Sequence, residues 1–152
     1  MRTRLLTTAA LLLAASVLGA ATGCARSDIG AGVPGGGAGT HVLDGSTWRL
    51  VAWTVSAIDP RDFTITAMFA HGRISGDSAV NSYGGPYTAG PGRRFTPGDL
   101  AVTAMGGLGP DMKAESAYLS LLGKATSFAR HGDRLTLSDR RGDTILVYQA
   151  AD

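Results

Sequence analysis

The chain has 152 residues, enough for one domain, and 22 of them are glycine. Its formal net charge of +2 includes Arg2 and Arg4; from residue 24 onward, 12 Lys and Arg (14 in all, less these two) balance 12 Asp and Glu. This balance excludes the strongly basic composition typical of nucleic-acid-binding proteins. The single cysteine, Cys24, excludes an intramolecular disulfide, so the fold must be held together by its core.

Residues 1–23 have the pattern of a secretory signal peptide. Arg2 and Arg4 form the positive start, residues 5–18 are apolar, and small residues follow up to Gly23. The apolar stretch is shorter than the about 20 residues that a membrane-spanning helix needs. We therefore expect export, with cleavage before Cys24.

The segment from Ala21 to Cys24 resembles a lipobox, although Ala21 stands where leucine is usual. In a lipobox the cysteine thiol is alkylated with diacylglycerol and becomes the first residue after cleavage. Cys24 is therefore the predicted lipidation site, and acyl chains such as palmitate would hold the protein at the cell membrane, facing outside the cytoplasm. The alternative is plain cleavage at the same place, which gives a secreted protein with a free thiol.

Residues 24–42 carry a glycine-rich run at 30–39 and almost no bulky apolar side chains. Such a composition cannot bury enough surface to offset the entropy lost on ordering, which predicts a flexible tether. The folded domain is predicted over residues 43–152.

Two runs in this domain, 48–55 and 63–69, alternate bulky apolar residues with others, as strands with one buried face do. The expected buried residues are Trp48, Leu50, Ala52 and Val55 in the first run and Phe63, Ile65, Ala67 and Phe69 in the second. His71-Gly72 predicts a tight turn. Further short strands are expected at residues 73–75, 83–88, near 95 and at 100–103.

Residues 110–122 form the single helix candidate, because Pro110 suits a first helical position and Gly123 a stop. Its expected apolar face is Met112, Tyr118, Leu119 and Leu122. A three-stranded meander is expected after it, at residues 126–130, 135–137 and 145–148. Together these elements predict a mainly β (α+β) fold: an antiparallel sheet of about eight strands that curls toward a barrel, with one helix against one end or face.

Four sequence blocks, in chain order, are similar to those of a known family. They are Leu43 to Leu50, Gly76 to Tyr87, Thr103 to Met105 with the helix that follows, and Gly132 to Leu137. They resemble the META domain, the family of HslJ-type heat-shock lipoproteins. The resemblance implies a bacterial cell-envelope protein linked to stress, and it brings no established catalytic activity.

The chain departs from that family pattern at two positions. Relatives often have a cysteine before the motif asparagine and another after the Thr-x-Met block, and here these places hold Val80 and Gly107. If the two cysteines form a disulfide in relatives, the resemblance implies that both are lost together, as they are here. A redox or disulfide-dependent role therefore lacks its residues in this chain.

Asn81, Tyr83 and Tyr87 are the candidate binding residues. Asn81 is polar and followed by tyrosine and glycine, but asparagine also tolerates a left-handed backbone and bonds its own chain at turns. Tyr83 and Tyr87, four apart on a strand, share a face, so they either line a ligand mouth or pack in the core.

No catalytic residue, metal ligand or cofactor site is expected. The three histidines, His41, His71 and His131, are scattered without the spacing of a metal cage. The glycine-rich residues 105–110 lack the Gly-Lys-Ser/Thr ending of a phosphate loop, and the Gly-x-Ser-x-Gly elbow of hydrolases is missing.

The sequence therefore favours a non-enzymatic envelope lipoprotein that binds a small hydrophobic ligand or supports the envelope under stress. A ligand-binding domain predicts a cavity lined by Trp48, Phe63, Phe69 and Tyr87, open at one end. One alternative is a protein-interaction module that uses exposed loops such as 76–85. The other is an envelope hydrolase, which would need converging titratable groups that the sequence does not offer. The expected partners are the membrane, through Cys24, and a small ligand or envelope protein, without nucleic acid.

Overall fold

The computed structural model describes residues 41–55 and 57–151. The predicted signal peptide, Cys24 and most of the predicted tether lie outside these described residues. Within residues 41–55 and 57–151, no helix combines the length and the apolar character that crossing a membrane requires.

The described residues form nine strands, one α-helix and two short 3-10 helices. The strands are β1 Ser46–Trp53, β2 Thr66–Ala70, β3 Arg73–Asp77, β4 Ser82–Gly90, β5 Arg94–Pro97, β6 Ala101–Val102, β7 Ser127–His131, β8 Arg134–Ser138 and β9 Thr144–Ala150. The α-helix, α1, spans Gly109–Lys124, and the 3-10 helices are Pro60–Asp62 and Pro91–Arg93.

Eight of the strands close an antiparallel barrel. Its order is β1-β2-β3-β4-β5-β7-β8-β9, and β9 pairs back to β1. Strand β6 pairs with the start of β4 outside this ring. The thinnest seam joins β5 to β7 through the single residue pair Arg94 and Ser127. The predicted mainly β fold of about eight curled strands with one helix is confirmed.

The alternation of the first two strands places their apolar side chains inside. Trp48 and Leu50 of β1 are fully buried, as are Ile65, Ala67 and Phe69 around β2, because successive side chains of a strand point to opposite faces. Ala52 and Val55, expected in the core, are only half-buried. The register with β9 shifts between Leu50 and Ala52, which breaks the alternation at that point.

The turn prediction for the β2–β3 hairpin is confirmed. Its two central residues, His71 and Gly72, have φ of 52° and 71°, and a two-residue hairpin whose central residues both have positive φ is a type I′ turn. The meander of β7, β8 and β9 is also present as predicted.

Helix α1 begins as predicted but differs in its end and in its buried face. It continues through Gly123 to Lys124 before Ala125 becomes extended. Its buried residues are Ala114, Glu115, Tyr118 and Leu122. Met112 is 39% exposed, because it lies off the row of every fourth residue, 114, 118 and 122, that contacts the barrel.

The barrel interior is filled by side chains. Trp48 and Phe69 are 0% exposed and Tyr87 is 2% exposed. The Phe69 ring lies edge-on to Tyr87 at 4.9 Å between centroids and to Phe95 at 6.2 Å. These residues therefore do not line the open cavity that ligand binding predicted, since an eight-stranded barrel is only just wide enough for its own side chains.

Candidate functional site

The turn between β3 and β4 is built around Ala79 and Asn81. The residue with a left-handed backbone in this turn is Ala79, with φ of 83°. The sequence had suggested Asn81 for this conformation. The Ser78 N–H donates to the carbonyl oxygen of Asn81 at 2.8 Å and closes the turn. The Asn81 side chain is thereby left to bond residues far away in the chain.

The Asn81 amide joins this turn to the segment before α1. Its Oδ1 accepts hydrogen bonds from the Met105 N–H at 2.7 Å and from Thr103 Oγ1 at 2.8 Å. Its Nδ2 donates to the Met105 carbonyl oxygen at 3.2 Å and to Glu115 Oε1 at 3.0 Å. Because Met105 is bonded at both its N–H and its C=O, Asn81 fixes the backbone at that residue.

Glu115 is the buried carboxylate behind this amide, 7% exposed. Besides Asn81 Nδ2, it accepts the Asn81 backbone N–H at 2.8 Å, and Ser78 Oγ lies 2.9 Å from Oε2. Burial raises the pKa of Glu115, but hydrogen bonds from Asn81, Ser78 and the Val80 backbone together outweigh it and hold the pKa below its ordinary value. Glu115 is therefore ionised at neutral pH.

The hydrogen bonds of this cluster hold the Asn81 turn and the Met105 backbone in place. A carboxylate with a lowered pKa is a weak general base. The single proton of Ser78 is shared between Glu115 and the Asn81 carbonyl oxygen 2.7 Å away, and Ser78 is 0% exposed. No buried side-chain nitrogen or oxygen in the described part of the chain lacks a hydrogen-bond partner. Glu115 is not among the candidate residues predicted from the sequence; a charged residue beside the buried row 114, 118 and 122 was the available clue.

Residues 102–112, called the apolar segment below, include Met105, which Asn81 binds, and carry several exposed apolar side chains. Leu108 is 75% exposed and Met105 58%, and Val102 and Met112 are each 39% exposed. The stretch from residue 100 to 110 contains no charged side chain. The expected interaction loop 76–85 is mostly buried or half-buried, with Asp77 and Ser82 exposed, and the apolar exposure lies in the apolar segment instead.

Tyr83 lies inside the barrel, 4% exposed, in a row of tyrosine hydroxyls. Tyr148 donates to Tyr118 at 3.2 Å, the Tyr118 and Tyr83 hydroxyls are 2.6 Å apart, and Tyr83 donates to the Thr66 carbonyl oxygen at 2.9 Å. Since each hydroxyl carries one proton, Tyr118 donates to Tyr83. Burial raises the pKa of all three tyrosines, so the row remains neutral.

Tyr87 belongs to a different network near the start of the described chain. Its hydroxyl donates to Asp44 Oδ1 at 2.7 Å, and the Gly72 N–H donates to the same carboxylate at 3.1 Å. The Tyr87 hydrogen bond is the main cause of the lowered pKa of Asp44, and burial raises the pKa of Tyr87. Asn81, Tyr83 and Tyr87 thus take part in three separate hydrogen-bond networks.

In the described ranges, no group of three or more His, Cys, Asp or Glu side chains is placed to hold a metal ion. His41, His71 and His131 are all exposed. His41 packs edge-on to the Tyr87 ring at 5.6 Å between centroids.

Val80 and Gly107 are neighbours in space. A β-carbon placed on Gly107 would lie 3.4 Å from the Val80 Cβ and only 2.6 Å from its Cγ2. The first distance is close to the about 3.5–4.5 Å between the β-carbons of a disulfide. The two positions where relatives carry cysteines are therefore adjacent, and here a valine fills the space that glycine leaves.

Solved structures of similar fold exist. An NMR structure of a protein from Burkholderia xenovorans is 29% identical with a TM-score of 0.60, and the match covers 75% of this chain and 87% of that one. The crystal structure of a DUF4847 family protein from Bacteroides vulgatus is 12% identical with a TM-score of 0.55, covering 71% and 94%. At the latter identity the likeness is one of fold alone.

A comparison with curated proteins gives no match. The family model of the META domain matches residues 41–152, which include every described residue. The match spans the whole barrel, the Asn81 turn and α1, and the chain therefore belongs to the META domain family.

Proposed function

We propose that the protein is a non-enzymatic cell-envelope lipoprotein, held at a membrane outside the cytoplasm by acyl chains on Cys24, whose META domain binds another envelope protein in support of the envelope under stress. The observation that carries the binding proposal is the exposure of Met105 and Leu108 on a segment that Asn81 fixes from below.

Three properties of the apolar segment support protein binding. Four large apolar side chains are exposed within eleven residues of chain, and clustered exposed apolar side chains are typical of interaction surfaces. Methionine is enriched at interfaces and adapts its shape to a partner. The bonds from Asn81 to Met105 order the backbone before binding, which reduces the entropy lost on association.

The absence of catalysis is proposed from the chemistry of Ser78, Asn81 and Glu115. These are the buried polar residues of the described chain apart from its buried aromatic side chains, and their hydrogen-bonding groups already have partners. Glu115 is ionised and held by donors, so it is poorly suited to accept a proton from a substrate.

The proposed lipid anchor on Cys24 is tested by the intact mass of the protein extracted from membranes of its native or a related host. We expect the mass of a chain that begins at Cys24 and carries acyl groups, and we expect a Cys24→Ala variant to be released or unprocessed. An unmodified mass in the soluble fraction would contradict the lipoprotein assignment and leave a secreted META domain.

The partner surface is tested with a photo-crosslinking amino acid at position 108 of the acylated protein in intact cells. We expect one discrete protein adduct. Adding Met105→Ser and Met112→Ser should weaken it at least about tenfold, because burial of each such side chain contributes about 1.5–3 kcal/mol to binding.

The matched control is the same crosslinker at Met68, which is 47% exposed on β2 and far in sequence from the apolar segment. Identical adducts from both positions would mean contact without specificity. An adduct with twice the mass of the chain would show that the partner is a second copy of this chain and not another envelope protein.

A further inference from the structure

We propose that five basic residues form a docking surface for the anionic lipid headgroups of the membrane that carries the Cys24 anchor; this inference rests on the proposed anchoring. The residues, called the basic patch below, are Arg93, Arg94, Lys124, Arg140 and Arg141. They come from three parts of the chain that the barrel brings together.

The meeting point is Thr126. Its carbonyl oxygen accepts the Phe95 N–H at 2.9 Å, and its own N–H donates to the Ser138 carbonyl oxygen at 2.9 Å. Arg94 pairs with Ser127 across β5 and β7, which places their Cα atoms about 4.5–5.5 Å apart. The start of β5, the end of α1 and the β8–β9 turn therefore lie next to one another. Lys124, Arg140 and Arg141 line one cleft, and Arg94 lines another.

The surface at this face is concave. A cleft of about 420 Å³ is lined by Gly123, Lys124, Thr126, Asp139, Arg140 and Arg141. All five residues of the basic patch are exposed, and Arg141 has 85% of its side chain exposed. Because these side chains are exposed, their positive groups can contact lipid headgroups without rearrangement of the fold.

The basic patch has a net positive charge although the chain from residue 24 is balanced. Asp139 and Asp143 lie in the same turn, which leaves three positive charges in excess. The Asp139 carboxylate accepts the backbone N–H groups of Arg141 and Asp143 at 2.8 and 3.1 Å and is 21% exposed. Its 3.9 Å contact with Arg141 is the one salt bridge among the described residues.

A lipid surface fits these charges because they are exposed and spread over three segments. Each Lys or Arg near an anionic membrane strengthens binding by about fivefold. Sixteen residues lie between Cys24 and His41, and the 17 Cα steps that join the two span at most about 55–60 Å. An anchored domain therefore remains close to the headgroups, which raises their effective concentration.

Docking would also orient the proposed partner surface. The basic patch includes the last residue of α1, and the apolar segment ends in its first turn. The 16 residues of this helix separate the two by about 24 Å. Contact of the basic patch with lipid would leave the apolar segment open to a protein.

The test uses the chain from residue 24 onward with Cys24→Ser, so that no acyl group contributes. We expect it to bind vesicles of mixed phosphatidylglycerol and phosphatidylcholine, with affinity that falls as salt is raised, and to bind phosphatidylcholine vesicles much more weakly. Arg140→Gln with Arg141→Gln should reduce partitioning onto the mixed vesicles about 25-fold, at about fivefold per charge.

The matched control is Arg61→Gln with Arg73→Gln, which removes the same charge from two exposed arginines outside the basic patch. Three results would each overturn the proposal. They are an equal loss of vesicle binding in both double variants, binding that does not depend on anionic lipid, and inhibition by millimolar inorganic phosphate, which would indicate a discrete anion site. Because the chain tested has no acyl group, such a failure leaves the lipidation of Cys24 to be decided by the intact-mass measurement.

Discussion

Replacement of Glu115 by Gln is expected to lower the free energy of unfolding by about 2–4 kcal/mol at neutral pH. The substituted amide would present N–H groups to the Asn81 and Ser78 donors that now point at a carboxylate. It would also remove the charge that strengthens those bonds. Denaturant unfolding monitored by tryptophan fluorescence measures the loss, and Asp111→Asn, in the first turn of the same helix, should cost less than about 1 kcal/mol.

The effect of Glu115→Gln depends on pH in a defined direction. The folded pKa of Glu115 lies below its ordinary value of 4.5. Its ionisation therefore stabilises the fold above that value, and this contribution is lost as the pH falls through the lowered folded pKa. The gap between the native protein and the variant should be constant from about pH 6 to 8 and narrow below about pH 4. A gap that widens in acid would mean that Glu115 is protonated in the native fold.

The double substitution Val80→Cys with Gly107→Cys is expected to form a disulfide and to stabilise the fold by about 3–4 kcal/mol, the loop-closure value for a loop of this length. The β-carbons would be 3.4 Å apart, and the substitution at position 80 removes the Cγ2 that a β-carbon at 107 would overlap. A Cys24→Ser background prevents mispairing. The measurement is the midpoint of thermal unfolding with and without reductant, beside the free-thiol count.

The single substitution Gly107→Cys is the informative control. It leaves Val80 in place, and the stiff valine side chain cannot withdraw from a new β-carbon 2.6 Å away. We expect it to destabilise by about 1–3 kcal/mol. Two free thiols in the oxidised double variant, or a midpoint indifferent to reductant, would contradict the adjacency of residues 80 and 107.

The strands were predictable because their pattern is local. Period-two alternation identified Ile65, Ala67 and Phe69 as one buried face, and the side chains of a strand alternate whatever the partner strand is. Where a long-range pairing disturbs the strand, as in the register shift after Leu50, the alternation predicted full burial at Ala52 that does not occur. Val55, also expected in the core, lies beyond the end of β1. The helix face failed at Met112 for a related reason, since contact with the barrel selects the buried row.

The candidate site was only partly predictable. Asn81 and Tyr83 could be chosen from their residue types and neighbours, but the partners of Asn81 are Met105 and Glu115, 24 and 34 residues away. A single sequence carries no direct record of such pairs. The packed interior around Trp48, Phe69 and Tyr87 likewise depends on how eight strands close, which alternation leaves open.

The sequence by itself determined the elements of this domain, the mainly β class and the resemblance to the META family, because turns, alternation and motif order are properties of short segments. Only the tertiary structure decided which residues meet. Barrel closure brings Asn81 to Glu115, sets Val80 against Gly107, and gathers Lys124, Arg140 and Arg141 around one cleft of a chain whose charges balance. Such contacts depend on strand register and closure, which are fixed by the packing of all segments at once.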